Sequence, residues 1–181
     1  AVGGNRVIRS TDNGRTWASV SIPLLRGRRF ARLAAVEFIS ETEGVVGDAG
    51  MNDGTGRSYA TRDGQTWTET AAYTDHRDIA YNGRDLWTIV GDQGIWVQDD
   101  LLVPGPKRRV LPANGARFWN VDFGSPNVGV AVDLNESRNI FRTEDGGETW
   151  QTTGGYPGPV QAGQQQLIGV DLLDENVGAV A

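Results

Sequence analysis

The sequence contains no cysteine and only one histidine, one lysine and one methionine. Without thiols there is no disulfide framework, no thiol catalysis and no zinc site built on cysteine. A single imidazole, His76, excludes a cluster of histidine ligands. It lies in the loop Thr74-Asp75-His76-Arg77-Asp78, where a solvated side chain is expected. No apolar run approaches the roughly 20 residues of a membrane-spanning helix, no stretch holds a sustained helical period, and the chain opens at Ala1 without a signal-peptide pattern. Positive charge is short: 17 basic residues against 23 acidic ones give a net charge of -6. That balance disfavours wholesale attraction to nucleic acid or anionic lipid and leaves room for a local basic patch.

What is abundant is glycine, 25 of 181 residues, beside six tryptophans and a 38% hydrophobic content sufficient for a folded core. Self-similarity organises these residues. Ser10-Thr11-Asp12-Asn13-Gly14-Arg15-Thr16-Trp17 is echoed by Thr143-Glu144-Asp145-Gly146-Gly147-Glu148-Thr149-Trp150 and, one residue shorter, by Thr61-Arg62-Asp63-Gly64-Gln65-Thr66-Trp67. Aligning Ile95-Trp96-Val97-Gln98-Asp99-Asp100 with Ile140-Phe141-Arg142-Thr143-Glu144-Asp145 adds an eroded fourth copy, with Leu101 where Gly146 stands. The motif aspartates at 12, 63, 100 and 145 are 51, 37 and 45 residues apart, a spacing that suits a four-stranded repeat with variable loops.

Two short apolar runs precede each motif, for example Leu33 to Phe38 followed by Gly44 to Gly47, and Phe118 to Phe123 followed by Val128 to Val132. Ile79 to Tyr81 with Leu86 to Val90, and Leu167 to Leu172 with Val177 to Ala181, repeat the arrangement. Each run is β-branched or aromatic and fenced by Gly, Asn, Asp or Pro, which reads as strand and turn. A unit is therefore strand A, strand B, strand C, the aspartate turn, and strand D beginning at Thr-Trp. The units fall roughly at 1–20, 30–70, 77–111, 117–153 and 166–181, the first and last partial, within a single domain or segment 1–181. Ala1-Val2 and Val180-Ala181 occupy the same repeat position, so the expectation is a segment of a longer protein rather than two halves that close one sheet.

The pattern Ser/Thr, any, Asp, any, Gly, any, Thr, Trp resembles the Asp-box of bacterial-neuraminidase repeats, found in β-propellers. Its residues here are Ser10, Asp12, Gly14, Thr16 and Trp17; Thr61, Asp63, Gly64, Thr66 and Trp67; and Thr143, Asp145, Gly147, Thr149 and Trp150. The expected chemistry is structural. Asp accepts hydrogen bonds from its own turn, Gly supplies a backbone angle closed to other residues, and Trp buries its ring between blades. The chain as a whole resembles the photosystem II stability and assembly factor family and its bacterial relatives. The resemblance lies in Phe30 to Phe38, Gly44-Val45-Val46-Gly47-Asp48, Thr61 to Trp67 and Ile140 to Trp150. It implies an all-β propeller of four-stranded antiparallel blades, non-enzymatic, without cofactor or metal, located in the periplasm, thylakoid lumen or outside the cell. It also implies a protein partner, of the membrane-complex kind, bound through an arginine-rich surface. The chain departs from the family in having fewer blades, a shortened second box and a third repeat without one.

Arginine outnumbers lysine 16 to one, and it recurs just before the A strands. Arg26, Arg28, Arg29 and Arg32 precede the first, Arg77 and Arg117 the next two, and Gln166 holds the place in the last. Arg29, Arg32, Arg77 and Arg117 are the candidate partner-binding residues, suited to paired hydrogen bonds with carboxylates or phosphates; the plainer reading is solvated loop cations. A sialidase or other glycoside hydrolase is the alternative, with Tyr59, Tyr73, Tyr81 or Tyr156 as nucleophile and Asp75 or Asp78 nearby. Against it, Ile22-Pro23 lacks the preceding Arg of the sialidase Arg-Ile-Pro element. A passive structural module is the third reading. Asp48 to Gly56 is oxygen-rich but lacks the closing glutamate of a calcium loop, so a hairpin is expected there. Trp87, Trp96 and Trp119 read as core between sheets, and Lys107-Arg108-Arg109 as a small secondary basic spot.

Overall fold

The computed structural model describes residues 2–3, 6–22, 32–50, 56–72, 76–112, 117–134, 139–155 and 167–181. Among them every regular element is a β-strand, and no helix is long and apolar enough to cross a membrane. All strand pairs are antiparallel between sequence neighbours. The first sheet holds β1 (Val2–Gly3), β2 (Arg6–Arg9) and β3 (Ala18–Val20); the second holds β4 (Leu33–Phe38), β5 (Gly44–Asp48), β6 (Arg57–Thr61) and β7 (Thr68–Ala72). The third is β8 (Asp78–Tyr81), β9 (Trp87–Gly91), β10 (Gly94–Gln98) and β11 (Arg108–Pro112); the fourth is β12 (Phe118–Phe123), β13 (Gly129–Asp133), β14 (Asn139–Thr143) and β15 (Gln151–Gly155). A hairpin of β16 (Val170–Leu172) and β17 (Gly178–Val180) ends the chain. Two compact units result, residues 1–76 with 100–105, and residues 77–99 with 106–181.

The second strands of the second and third sheets show why their apolar runs are continuous rather than alternating. All five residues of β5 and of β9 are buried, as expected of strands covered on both faces. In the first unit Val7, Leu33, Val46, Tyr59 and Trp67 form the core; in the second, Val90, Ile95, Phe118, Ala131, Phe141 and Trp150 do.

The aspartate turns join the last two strands of their sheets. In the first, Asp12 Oδ1 accepts from the Thr16 amide (2.8 Å) and the Ser10 hydroxyl (2.7 Å), while Oδ2 accepts from the Thr16 hydroxyl (2.6 Å). Asp145 repeats this with Thr149 and Thr143. Two successive residues take left-handed backbone angles in each, Asn13 and Gly14, then Gly146 and Gly147. The shortened turn has only Gly64 at positive φ, which accounts for its missing residue, and Asp63 still accepts from the amides of Gln65 (2.8 Å) and Thr66 (2.6 Å). These bonds favour the carboxylates: the Thr16 hydroxyl and amide hold Asp12 at about 2, and the Thr66 and Gln65 amides hold Asp63 below the ordinary range. At Asp145 partial burial pulls upward but the Thr149 bonds prevail, so its pKa too is lowered.

Two of the turn tryptophans are covered by an aromatic at the end of their sheet's first strand. Phe38, at the end of β4, meets Trp67 edge-on at 6.3 Å and 75°, and Phe123, at the end of β12, meets Trp150 at 6.1 Å and 76°. Both phenylalanines lie across a glycine paired with them on the next strand, where a methyl group would approach the ring to 2.6 Å at Gly44 and 2.8 Å at Gly129. Trp67 and Trp150 are buried as expected. Trp17 corrects the expectation, because its ring is 53% exposed. Its Nε1 still donates to the Gly14 carbonyl (3.1 Å).

In the second unit, side chains of the first strands accept or donate across to the next sheet. Asp78 Oδ2 on β8 accepts from Asn120 Nδ2 (2.6 Å) and the Val121 amide (3.0 Å) of β12. Asn120 Oδ1 accepts from the Val170 amide (2.7 Å), and Asp122 Oδ2 from the Leu172 amide of β16 (2.6 Å). Burial raises the Asp78 carboxyl to about 6, the neighbouring Asp122 charge adding to the effect and the hydrogen bonds opposing it.

Truncating Trp67 or Phe38 to Ala is expected to cost about 3–5 kcal/mol of stability, and Trp17→Ala less than about 1 kcal/mol, measured by denaturant unfolding. Between about pH 4 and pH 6 the native Asp78 keeps a proton that the unfolded chain has lost, so this group makes stability fall as pH rises through that window. Asp78→Asn keeps an oxygen acceptor and removes the buried charge. It should therefore raise stability at pH 7.5 by about 1–3 kcal/mol and have little effect at pH 4; unfolding curves at the two pH values check this.

Candidate partner-binding face

The residue preceding each first strand is held by an aspartate that closes the second strand. The Arg32 amide donates to Asp48 Oδ1 (2.9 Å) and the Arg117 amide to Asp133 Oδ1 (2.9 Å), with both carboxylates fully buried. The Arg32 and Arg117 carbonyls in turn accept from Ala49 (2.9 Å) and Leu134 (2.8 Å). In the third sheet the corresponding aspartate, Asp92, follows β9 and uses its side chain differently. Its Oδ2 accepts from Arg77 Nη2 (3.2 Å) and Arg117 Nη2 (3.4 Å), drawing two guanidinium groups onto one oxygen. Arg77 also lies over the Trp119 ring, 4.8 Å from its centre.

The two arginines end in different situations. Only 10% of the Arg77 side chain is exposed, against 52% for Arg117. Arg77 is thus a packed cation between an indole and a carboxylate, and Arg117 presents its head group to solvent. Arg32 holds the equivalent backbone position in the first unit and is exposed. Arg29, Arg26, Arg28 and Gln166 lie outside the described residues, as do Tyr73, Asp75, Tyr156 and most of the oxygen-rich segment after Gly50.

Sequence reasoning found the arginines and missed what aims them. The signal was present in the phrase that ends Gly47-Asp48, repeated as Gly91-Asp92 and Val132-Asp133. Trp119 differs from the expectation of core. A register shift between Phe118 and Asn120 turns it out of the ladder, leaving it half-buried beneath Arg77. Trp87 is buried as expected, whereas Trp96 is half-buried with Lys107 at 6.0 Å and Arg109 at 5.4 Å from its ring centre. Burial lowers the Lys107 pKa to about 8.

His76 is a further correction. It is fully buried, not solvated, and its Nε2 lies 2.7 Å from the Ser58 hydroxyl, a small partner on β6 that admits the ring and satisfies one nitrogen. With both groups buried, this pair offers no open nucleophile. Tyr59 is likewise fully buried and Tyr81 donates to the Arg84 carbonyl (2.5 Å). Among the described residues no cluster of His, Asp or Glu is arranged to hold a metal ion.

No family model matches the chain. Over 155 residues, 83% of its length, it is 29% identical to xyloglucanase Xgh74A of Acetivibrio thermocellus. The match covers 16% of that enzyme, so the chain spans about one sixth of the curated relative's length. Among solved structures, YCF48 from Cyanidioschyzon merolae aligns with a TM-score of 0.64 at 14% identity, over 98% of this chain and 61% of that one. The GH74 xyloglucanase from Xanthomonas campestris aligns with a TM-score of 0.53 at 15% identity, over 91% and 27% respectively. The chain therefore has the fold of a β-propeller segment, similar in structure to YCF48 and to a GH74 xyloglucanase.

Proposed function

We propose that the chain is a non-catalytic propeller scaffold that binds a protein partner through the arginines leading into its first strands. The observation that carries this reading is the Arg77, Arg117 and Trp119 cluster, where one arginine is packed to support a platform and the other is left half in solvent. A guanidinium held by its own backbone and presented beside an indole is suited to a carboxylate on a protein surface. Arg32 has the same backbone setting in the first unit, and Arg29 belongs to the same proposal. A membrane-protein complex as partner, a role in its assembly, and a location in the periplasm, thylakoid lumen or outside the cell follow from the family resemblance and complete the reading.

The xyloglucanase relative favours a second reading, a glycan-active propeller. Such an enzyme needs acids facing open space on either side of a scissile bond. Asp78, the acid with the raised pKa, instead has its carboxylate engaged by Asn120 and the Val121 amide. A passive module of a larger protein would leave the arginines without a ligand. The readings separate by experiment. An array of acidic peptides should bind the chain in a salt-dependent way, and the double variant Arg32→Glu, Arg117→Glu should weaken binding about tenfold or more with an unchanged melting temperature. Unaltered binding in that variant, or release of reducing ends from xyloglucan by the wild type, would overturn the proposal.

A further inference from the structure

The Asp92 carboxylate is the wrong shape for its surroundings. Two guanidinium groups converge on Oδ2, while Oδ1 is buried and has no hydrogen-bond partner among the described residues. Neither arginine is gripped in the forked, two-oxygen manner that makes arginine–carboxylate pairs strong. Arg77 has compensation, because its ring partner Trp119 and its own amide, which donates to the Val90 carbonyl (2.9 Å), fix it in place. Arg117 has less. Its backbone is pinned by Asp133, but its head group is half-exposed and its contact with Asp92 is long, at 3.4 Å, the kind of surface pair that contributes little.

From this asymmetry we infer that Asp92 is an internal competitor, occupying on Arg117 the place that a carboxylate of the partner takes on binding. The inference rests on the arginine-face reading and adds to it the chemistry and the regulation of the site. The recognised group is an aspartate or glutamate side chain of an extended protein segment, laid against the Arg77 and Trp119 stack with its carboxylate turned to Arg117. On binding, the Arg117 head group leaves Oδ2 and forks onto the incoming carboxylate. Asp92 then keeps Arg77, so no charge is left buried without a partner. The arrangement sets a threshold: an isolated weak acid does not displace Asp92, whereas a segment whose apolar neighbours also cover Trp119 does.

The test uses a labelled decapeptide of alternating leucine and glutamate, with its glutamine counterpart as control, and fluorescence anisotropy at low salt. Asp92→Asn and Asp92→Ser are both made, since serine leaves a small hydrogen-bonding group for Arg77 should the amide variant fold poorly, and each is checked by its thermal transition. Both are expected to bind the glutamate peptide about fivefold more tightly than the wild type, and adding Arg117→Gln should remove that gain. Unchanged affinity in a folded Asp92 variant, with Arg117→Gln still weakening the wild type, would overturn the competitor and leave the arginine reading standing. Equal binding by wild type and Arg117→Gln, or equal binding of the glutamine peptide, would overturn both.

Discussion

The hydrogen bond from a backbone amide to an aspartate oxygen is the interaction on which this fold depends. It closes the turns at Asp12, Asp63 and Asp145, fixes the lead into the first strands at Asp48 and Asp133, and ties neighbouring first strands together at Asp78 and Asp122. Short antiparallel strands with few contacts in sequence beyond their own hairpin need such staples, because a sheet of four or five residues per strand buries little area by itself. Ionised acceptors make stronger bonds than neutral ones. An acidic composition is therefore partly a structural requirement here.

That requirement changes how the net charge reads. A balance of -6 suggests a surface that repels acidic partners. Yet many of the aspartates face amides of their own chain, and the charge seen by a ligand is set locally. Around Arg117 two guanidinium groups meet two carboxylates, Asp92 at the head groups and the buried Asp133 at the Arg117 amide. Arginine is suited to this setting where lysine is not, since a planar head group stacks on Trp119 at one position and forks onto oxygen at another.

The repeat, the strand order and the turn chemistry were legible because each is local: the spacing of apolar runs and the Asp, Gly and Trp of one turn lie within a few residues of each other. What could not be read depended on partners one sheet or two strands distant. Trp17 carries the same motif as Trp150 yet is far more exposed, and the ring that covers Trp150, Phe123, lies 27 residues earlier on another strand. The pairing of Phe38 with Gly44 and of Phe123 with Gly129 is visible once known, as an aromatic followed six residues later by glycine, but nothing in either residue announces that the glycine serves the ring. His76 looked solvated by its charged neighbours, and Ser58, 18 residues earlier, decides otherwise.

The arginine site shows the same limit at the level of function. A cation before each first strand is a sequence pattern, and by itself it does not say which cation is structural. The answer comes from the residue after the second strand. Where that aspartate turns its side chain to the backbone, as at Asp48 and Asp133, the main chain of the arginine beside it is pinned and the side chain stays exposed. Where it turns toward the side chains, as at Asp92, one arginine is immobilised and its neighbour is partly neutralised. One aspartate at a fixed place in the repeat thus determines whether the adjoining loop is framework or contact surface, and sheets that share a frame differ in what they present.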